Sequence, residues 1–161
     1  MEPIITAATV LTMYFNAINS NDVNYMYNGD MEDGVVNKIE VYEMNDQQQM
    51  TQKMEYCYEY DAEGRLTNKE MLSWDEATQS WTKNSRLTYK YYKNGYNVEV
   101  SYWDKEKQAY DIPSEVTLYR SQAPSLTSVK TYKMNEKKDN MYLLSSMIVM
   151  EPVDGRLLAT K

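Results

Sequence analysis

Apolar and polar residues alternate with period two through most of this chain. Along Met50–Tyr60 the even positions are Met50, Gln52, Met54, Tyr56, Tyr58 and Tyr60, against Thr51, Lys53, Glu55, Cys57 and Glu59 at the odd ones. Side chains of a strand point alternately to its two faces, so this pattern builds one greasy and one polar face. Residues 81–92 behave alike, with Trp81, Leu87, Tyr89 and Tyr91 on one parity and Thr82, Asn84, Arg86, Thr88 and Lys90 on the other. Residues 96–102 alternate cleanly as well. Only 141–150 is apolar on both parities, which predicts a strand covered on both sides. No helical stripe at i, i+3, i+4 runs through any of these stretches.

The breaks between runs are evenly spaced. Gly34, Gly64, Gly95 and Gly155 fall on a ruler of about 30 residues, with Pro124 near the missing mark, and such self-similarity signals a repeated supersecondary unit. Midway between them Asn45, Asp75, Asp104 and Asn135 recur, each preceded by a large apolar residue: Met44, Trp74, Trp103 and Met134. Another bulky residue follows each one: Met50, Trp81, Tyr110 and Met141. The unit therefore reads as a β-hairpin with a polar Asn/Asp turn, repeated about four times with a half unit at the C-terminus. Asn94-Gly95 and Asp154-Gly155 suit two-residue turns needing positive φ, and Asp61-Ala-Glu-Gly64 suits a type I turn closed by a left-handed glycine. Apolar parity switches before each polar turn. Val98 and Val100 give way to Trp103, and Ile39 and Val41 to Tyr42 and Met44, which predicts a β-bulge in each first strand.

These residues carry a family likeness. Tyr58-Glu-Tyr-Asp-Ala-Glu-Gly-Arg-Leu-Thr67 resembles the tyrosine–aspartate repeat of Rhs-type proteins, and Gly155-Arg-Leu-Leu158 echoes its end. Gly95-Tyr-Asn and Pro124-Ser-Leu depart from it. Residues 36–152 as a whole resemble a domain-of-unknown-function family of small secreted proteins from gut anaerobic bacteria, which pairs such a motif with Trp-Asp or Trp-Asn turns. The resemblance implies a secreted, periplasmic or outer-surface location and no catalytic residues.

Composition narrows the role. At 161 residues the chain is one domain, and a net charge of -7 with no histidine argues against a nucleic-acid partner, because no stretch supplies a basic footprint. A single cysteine excludes an internal disulfide and a cysteine metal site; Cys57 has no histidine to activate it. No cofactor or metal site is expected, and no segment is long and apolar enough to span a bilayer. Residues 1–20 read as a leader remnant or as a helix covering the sheet with a patch of Ile5, Ala8, Val10, Leu11 and Phe15. Residues 21–33 read as a linker and 34–161 as the hairpin-repeat domain.

The expected fold is all-β: an antiparallel meander of about nine strands in one twisted sheet. A face of that sheet covers about 1,200 Å², and the apolar half of it exceeds the few hundred Å² that a soluble monomer usually exposes. It must therefore curl, be covered by the N-terminal segment, pair with a second copy as a homodimer, or hold a ligand. Trp74, Trp81, Trp103 and Tyr110 are the candidate ligand-binding residues, as stacking platforms for a glycan or a peptide. The competing reading staples each pair across its own hairpin, and the methionines at the outer repeats favour it. Glu70 and Glu99, at repeat-equivalent positions, form the weak catalytic alternative of a glycan hydrolase, which requires one carboxyl to stay protonated near neutral pH. A solvated charge row explains them more simply. The expected function is a non-catalytic binding or self-associating module, with a purely structural spacer as a further alternative.

Overall fold

The computed structural model describes residues 4–19, 24–45, 47 and 49–150. Helix α1 (Ala7–Ile18) is followed by β1 (Tyr25–Glu32), β2 (Val35–Met44), β3 (Met50–Tyr60), β4 (Leu66–Asp75) and β5 (Ser80–Tyr92). Then come β6 (Gly95–Asp104), the short β7 (Ala109–Tyr110), β8 (Glu115–Ala123), β9 (Leu126–Met134) and β10 (Met141–Met150). All pair antiparallel in the order β1-β2-β3-β4-β5-β6-β8-β9-β10, with β7 beside the end of β6. The sheet is open, because its first and last strands do not meet. The alternation thus yields the expected all-β meander. Residues 25–32, expected within a linker, instead form its first strand; Gly29 and Asp30 interrupt the alternation that would have marked it. The Asp154-Gly155 turn, the C-terminal half unit and the Gly155-Arg-Leu-Leu158 echo lie outside the described residues.

The core lies on one face, under α1. Thr6 caps the helix in a reciprocal pair with Thr9. Val10 and Tyr14, four residues apart, are driven into Val36, Ile39, Val41 and Leu66. The buried stripe runs through Val10, Leu11 and Tyr14, whereas Ala8 and Phe15, expected in the patch, face solvent. The approach to the helix is pinned too: Leu66 N–H donates to Ile5 O at 2.8 Å and Ala7 N–H donates to Gly64 O at 3.0 Å. Tyr14 also reaches β1, where Gly29 N–H donates to its hydroxyl at 3.0 Å. A Cβ on Gly29 would meet the ring's Cζ at 2.6 Å, so any larger residue there displaces the tip of Tyr14.

Beyond the helix, the same face is a tyrosine floor. Tyr91, Tyr96 and Tyr119 sit directly across from one another on β5, β6 and β8, and the Tyr96 and Tyr119 rings stack at 4.5 Å. Tyr60 and Tyr91 turn their hydroxyls back to the Val36 and Leu66 carbonyls at 2.8 and 2.7 Å. Tyrosine serves here because its body is apolar and its tip finds a partner near water.

The parity switch is real, but the extra residue belongs to the other strand. In β2/β3 the register slips at Lys53, in β4/β5 at Asn84, and in β9/β10 at Leu144, each in the second strand of its hairpin. The third hairpin carries Ile112 and Pro113 at the corresponding place, between Asp111 and Ser114, whose N–H groups donate to Tyr102 O and Val100 O. A parity change along one strand shows that the apolar side has changed face; it does not reveal which partner accommodates the slip. As a result Met44/Met50, Trp74/Trp81, Trp103/Tyr110 and Met134/Met141 pair on the face opposite the core.

Two further expectations change. The two-residue loop after β5 is Lys93-Asn94, and Gly95 is already paired with Tyr92. Gly95 has φ +145°, and a Cβ there would lie 1.9 Å from Tyr119 O, so it is the close approach of β8 that demands glycine. Among the described residues β10, expected to be covered on both sides, lies at the edge of the sheet with Ile148 63% and Met150 69% exposed. Gly95→Ala should push β6 and β8 apart and cost more than about 2 kcal/mol in urea denaturation; a midpoint within error of the parent would show that the strands relax freely.

Candidate functional site

Each polar turn is built by its Asn or Asp. The Asp75 carboxylate accepts from the Ala77 and Thr78 N–H groups, and Asp104 accepts from Glu106 and Lys107. The second and third hairpins close identically. Gln79 and Gln108 take φ +50° and +52°, and their amides donate back to Glu76 O and Lys105 O at 2.8 and 2.7 Å. That recurring glutamine, four residues after the aspartate, was the overlooked signal in the sequence. Asp104 is held down at about 2, first by the Lys107 ammonium and then by these backbone donors. Asp111, just beyond β7, accepts from Lys107 and from Lys138, tying the third turn to the fourth.

The candidate aromatics are brought together in pairs. Trp74 and Trp81 are direct cross-strand partners with centroids 5.1 Å apart and ring planes at 71°. Trp103 and Tyr110 repeat the arrangement at 5.0 Å and 74°. These are edge-to-face staples within single hairpins. Lys83 lies against the second pair, its ammonium 5.1 Å from the Trp103 centroid while hydrogen-bonding Glu70 Oε1 at 3.0 Å. Between the two turns opens a recess of about 600 Å³, walled by Trp74 and Trp103 and edged by Thr82, Lys83, Asn84 and Lys105.

The glutamates are not brought together. Glu70 lies in the cross-strand row Lys38, Cys57, Glu70, Arg86, Ser101, whereas Glu99 lies in the row Asn68, Thr88, Glu99. Each hairpin is staggered by two residues from the last, so repeat-equivalent positions fall in different rows. Glu99 pairs with Lys90 at 2.8 Å, and Glu70 is taken up by Lys83 and by the Tyr110 hydroxyl, which donates at 2.7 Å. Burial pushes the Glu70 carboxyl up, but Tyr110, Lys83 and the nearby Arg86 outweigh it and leave it below the ordinary range. A general acid needs the opposite shift. Cys57 in the same row is pushed up to about 11 by burial and by Glu55, which makes it a poor nucleophile. Among the described residues no cluster of acidic, histidine or cysteine side chains could hold a metal ion.

Residues 2–121 match the model of DUF3836, a family of unknown function. A crystal structure of a protein with unknown function from Bacteroides fragilis is similar, at 27% identity and TM-score 0.70, covering 82% of this chain and 95% of that one. Another, a DUF3836 family protein from Bacteroides vulgatus, is 26% identical with TM-score 0.56, covering 59% of this chain and 97% of that one. No curated protein matches the chain.

Two outcomes follow for this network. Tyr110→Phe should cost about 1 kcal/mol of stability and raise the Glu70 midpoint in a carboxyl NMR titration; an unmoved midpoint would show the hydroxyl to be idle. Asp104, depressed in the folded chain, contributes stability that is fully present above its unfolded pKa and is lost as pH falls through about 2. Its carboxyl resonance should therefore titrate well below the ordinary aspartate range.

Proposed function

Since the chain belongs to the DUF3836 family, whose function is unknown, its role must be read from its own surfaces, and we propose a non-catalytic module that binds a glycan outside the cytoplasm. The recess between the second and third hairpins carries this reading. Trp74 and Trp103 offer indole surface from successive repeats, and Thr82, Lys83, Asn84 and Lys105 set hydroxyl, amide and ammonium groups around them. Sugar rings present an apolar face and a rim of hydroxyls, which is the complement of that arrangement. Because each tryptophan is stapled to a partner ring, it is held in place before any ligand arrives, and little ordering entropy is lost on binding. Placement in the envelope or secreted space rests on the likeness of residues 36–152 to secreted proteins of gut anaerobes. The lowered carboxyl of Glu70 and the separate engagement of Glu99 by Lys90 favour binding over hydrolysis.

A glycan array followed by affinity electrophoresis tests this. Retention on a responding polysaccharide should fall at least about tenfold in Trp103→Ala, a loss of about 1.4 kcal/mol, and remain in Glu99→Gln. Binding of no glycan, or undiminished retention by Trp103→Ala, would remove the recess as a site.

A further inference from the structure

Among the described residues the sheet has two edges, β1 and β10, and they differ in kind. At β1 the chain carries Asp30 and Glu32, and the Gly29 N–H is taken by the Tyr14 hydroxyl. Both are devices that stop an edge from recruiting another strand. β10 has neither. Its sequence, Met-Tyr-Leu-Leu-Ser-Ser-Met-Ile-Val-Met, holds no charge, no proline and no glycine. Every other strand of more than two residues carries at least one acidic or basic side chain. The one distortion, at Leu144, sits in its first half and leaves 145–150 in unbroken register with β9. Leu143, Met147, Ile148 and Met150 are all more than half exposed.

We propose that β10 is the seam of a homodimer, in which two copies pair antiparallel through residues 145–150 about a two-fold axis and continue one sheet. Charge selects the second copy as the occupant. Two chains of net charge -7 repel wherever their charged surfaces meet, and this neutral strand opposite itself brings no like charges together. β10 against β1 of another copy would face Asp30 and Glu32, and such a head-to-tail contact propagates instead of closing. Opposed residues in an antiparallel pair point to the same face, so a two-fold contact centred on Ile148 sets that residue opposite its own copy, with Met147 opposite Val149 and Ser146 opposite Met150. The six residues of the seam span about 20 Å and, with their side chains, are about 10 Å thick, so pairing hides on the order of 400 Å² in total, below the size of a standard interface. The dimer is therefore a reversible one, read by its dependence on concentration. It does not rest on the glycan reading, because the recess lies at β4–β6, three strand positions away.

Sedimentation of the full chain from about 1 to 300 μM, the range over which weak association is read, is the test. The mass should climb from 19.0 kDa toward twice that value. Ile148→Lys should stay at the monomer mass throughout with an unchanged far-UV circular dichroism spectrum, since its side chain already faces solvent, and Ile148→Val should behave as the parent. Met150→Lys supplies an independent second charge at the same seam. Amides of 145–150 should be protected from hydrogen exchange at high concentration in the parent and lose that protection in Ile148→Lys. A parent that remains monomeric over the whole range would overturn the proposal, showing β10 open or covered within one chain. So would lysine variants that associate like the parent, placing the contact elsewhere.

Discussion

The burial of Val10 and Tyr14 against Val36, Ile39, Val41 and Leu66 is the contact on which the rest of this structure depends. An open sheet cannot hide both of its faces, and the described residues include a single helix with which to cover one of them. Three of these side chains, Leu66, Val10 and Val36, are almost entirely out of water, each worth about 1.5–3 kcal/mol. Nothing comparable exists among the described residues of β8, β9 and β10, whose side chains are mostly half-exposed. Stability is concentrated at the first strands and thins toward the last.

The hairpins compensate with local devices. Each polar turn is closed by its own Asn or Asp, each turn end is clamped by a bulky cross-strand pair, and the tyrosine floor carries the middle of the sheet. The slip in each second strand joins two of these. It sends the clamping pair to the face opposite the core, so that the turn ends carry their apolar groups where α1 does not reach. The same displacement opens the recess between the Trp74 and Trp103 turns, and it leaves Lys83 free to span from Trp103 to Glu70.

Electrostatics on the polar face follows the stagger. Successive hairpins advance by two residues, so Glu40, Glu70 and Glu99 stand in three different rows and each finds its own lysine: Lys38, Lys83 and Lys90. The row of carboxylates visible in the repeat becomes a lattice of ion pairs, which keeps a broad uncovered surface soluble without creating a reactive group. The Tyr110–Glu70 hydrogen bond joins the third hairpin to the second, as Lys138 and Asp111 join the fourth to the third.

Sequence alone determined the period-two strands, the hairpin repeat of about 30 residues, the polar turns and the cross-hairpin aromatic pairs. All of these arise from neighbours within one unit, where spacing dictates contact. The strand at 25–32 escaped because Gly29 and Asp30 break its pattern, although Gly29 is there to admit a ring from a helix fifteen residues away. What only the tertiary structure decided is relational: which strand of each hairpin carries the extra residue, which face the helix covers, and that the most apolar strand lies at an edge. Composition reports how greasy a strand is. Its place in the sheet depends on which other strands fold beside it, and no period within the strand encodes that.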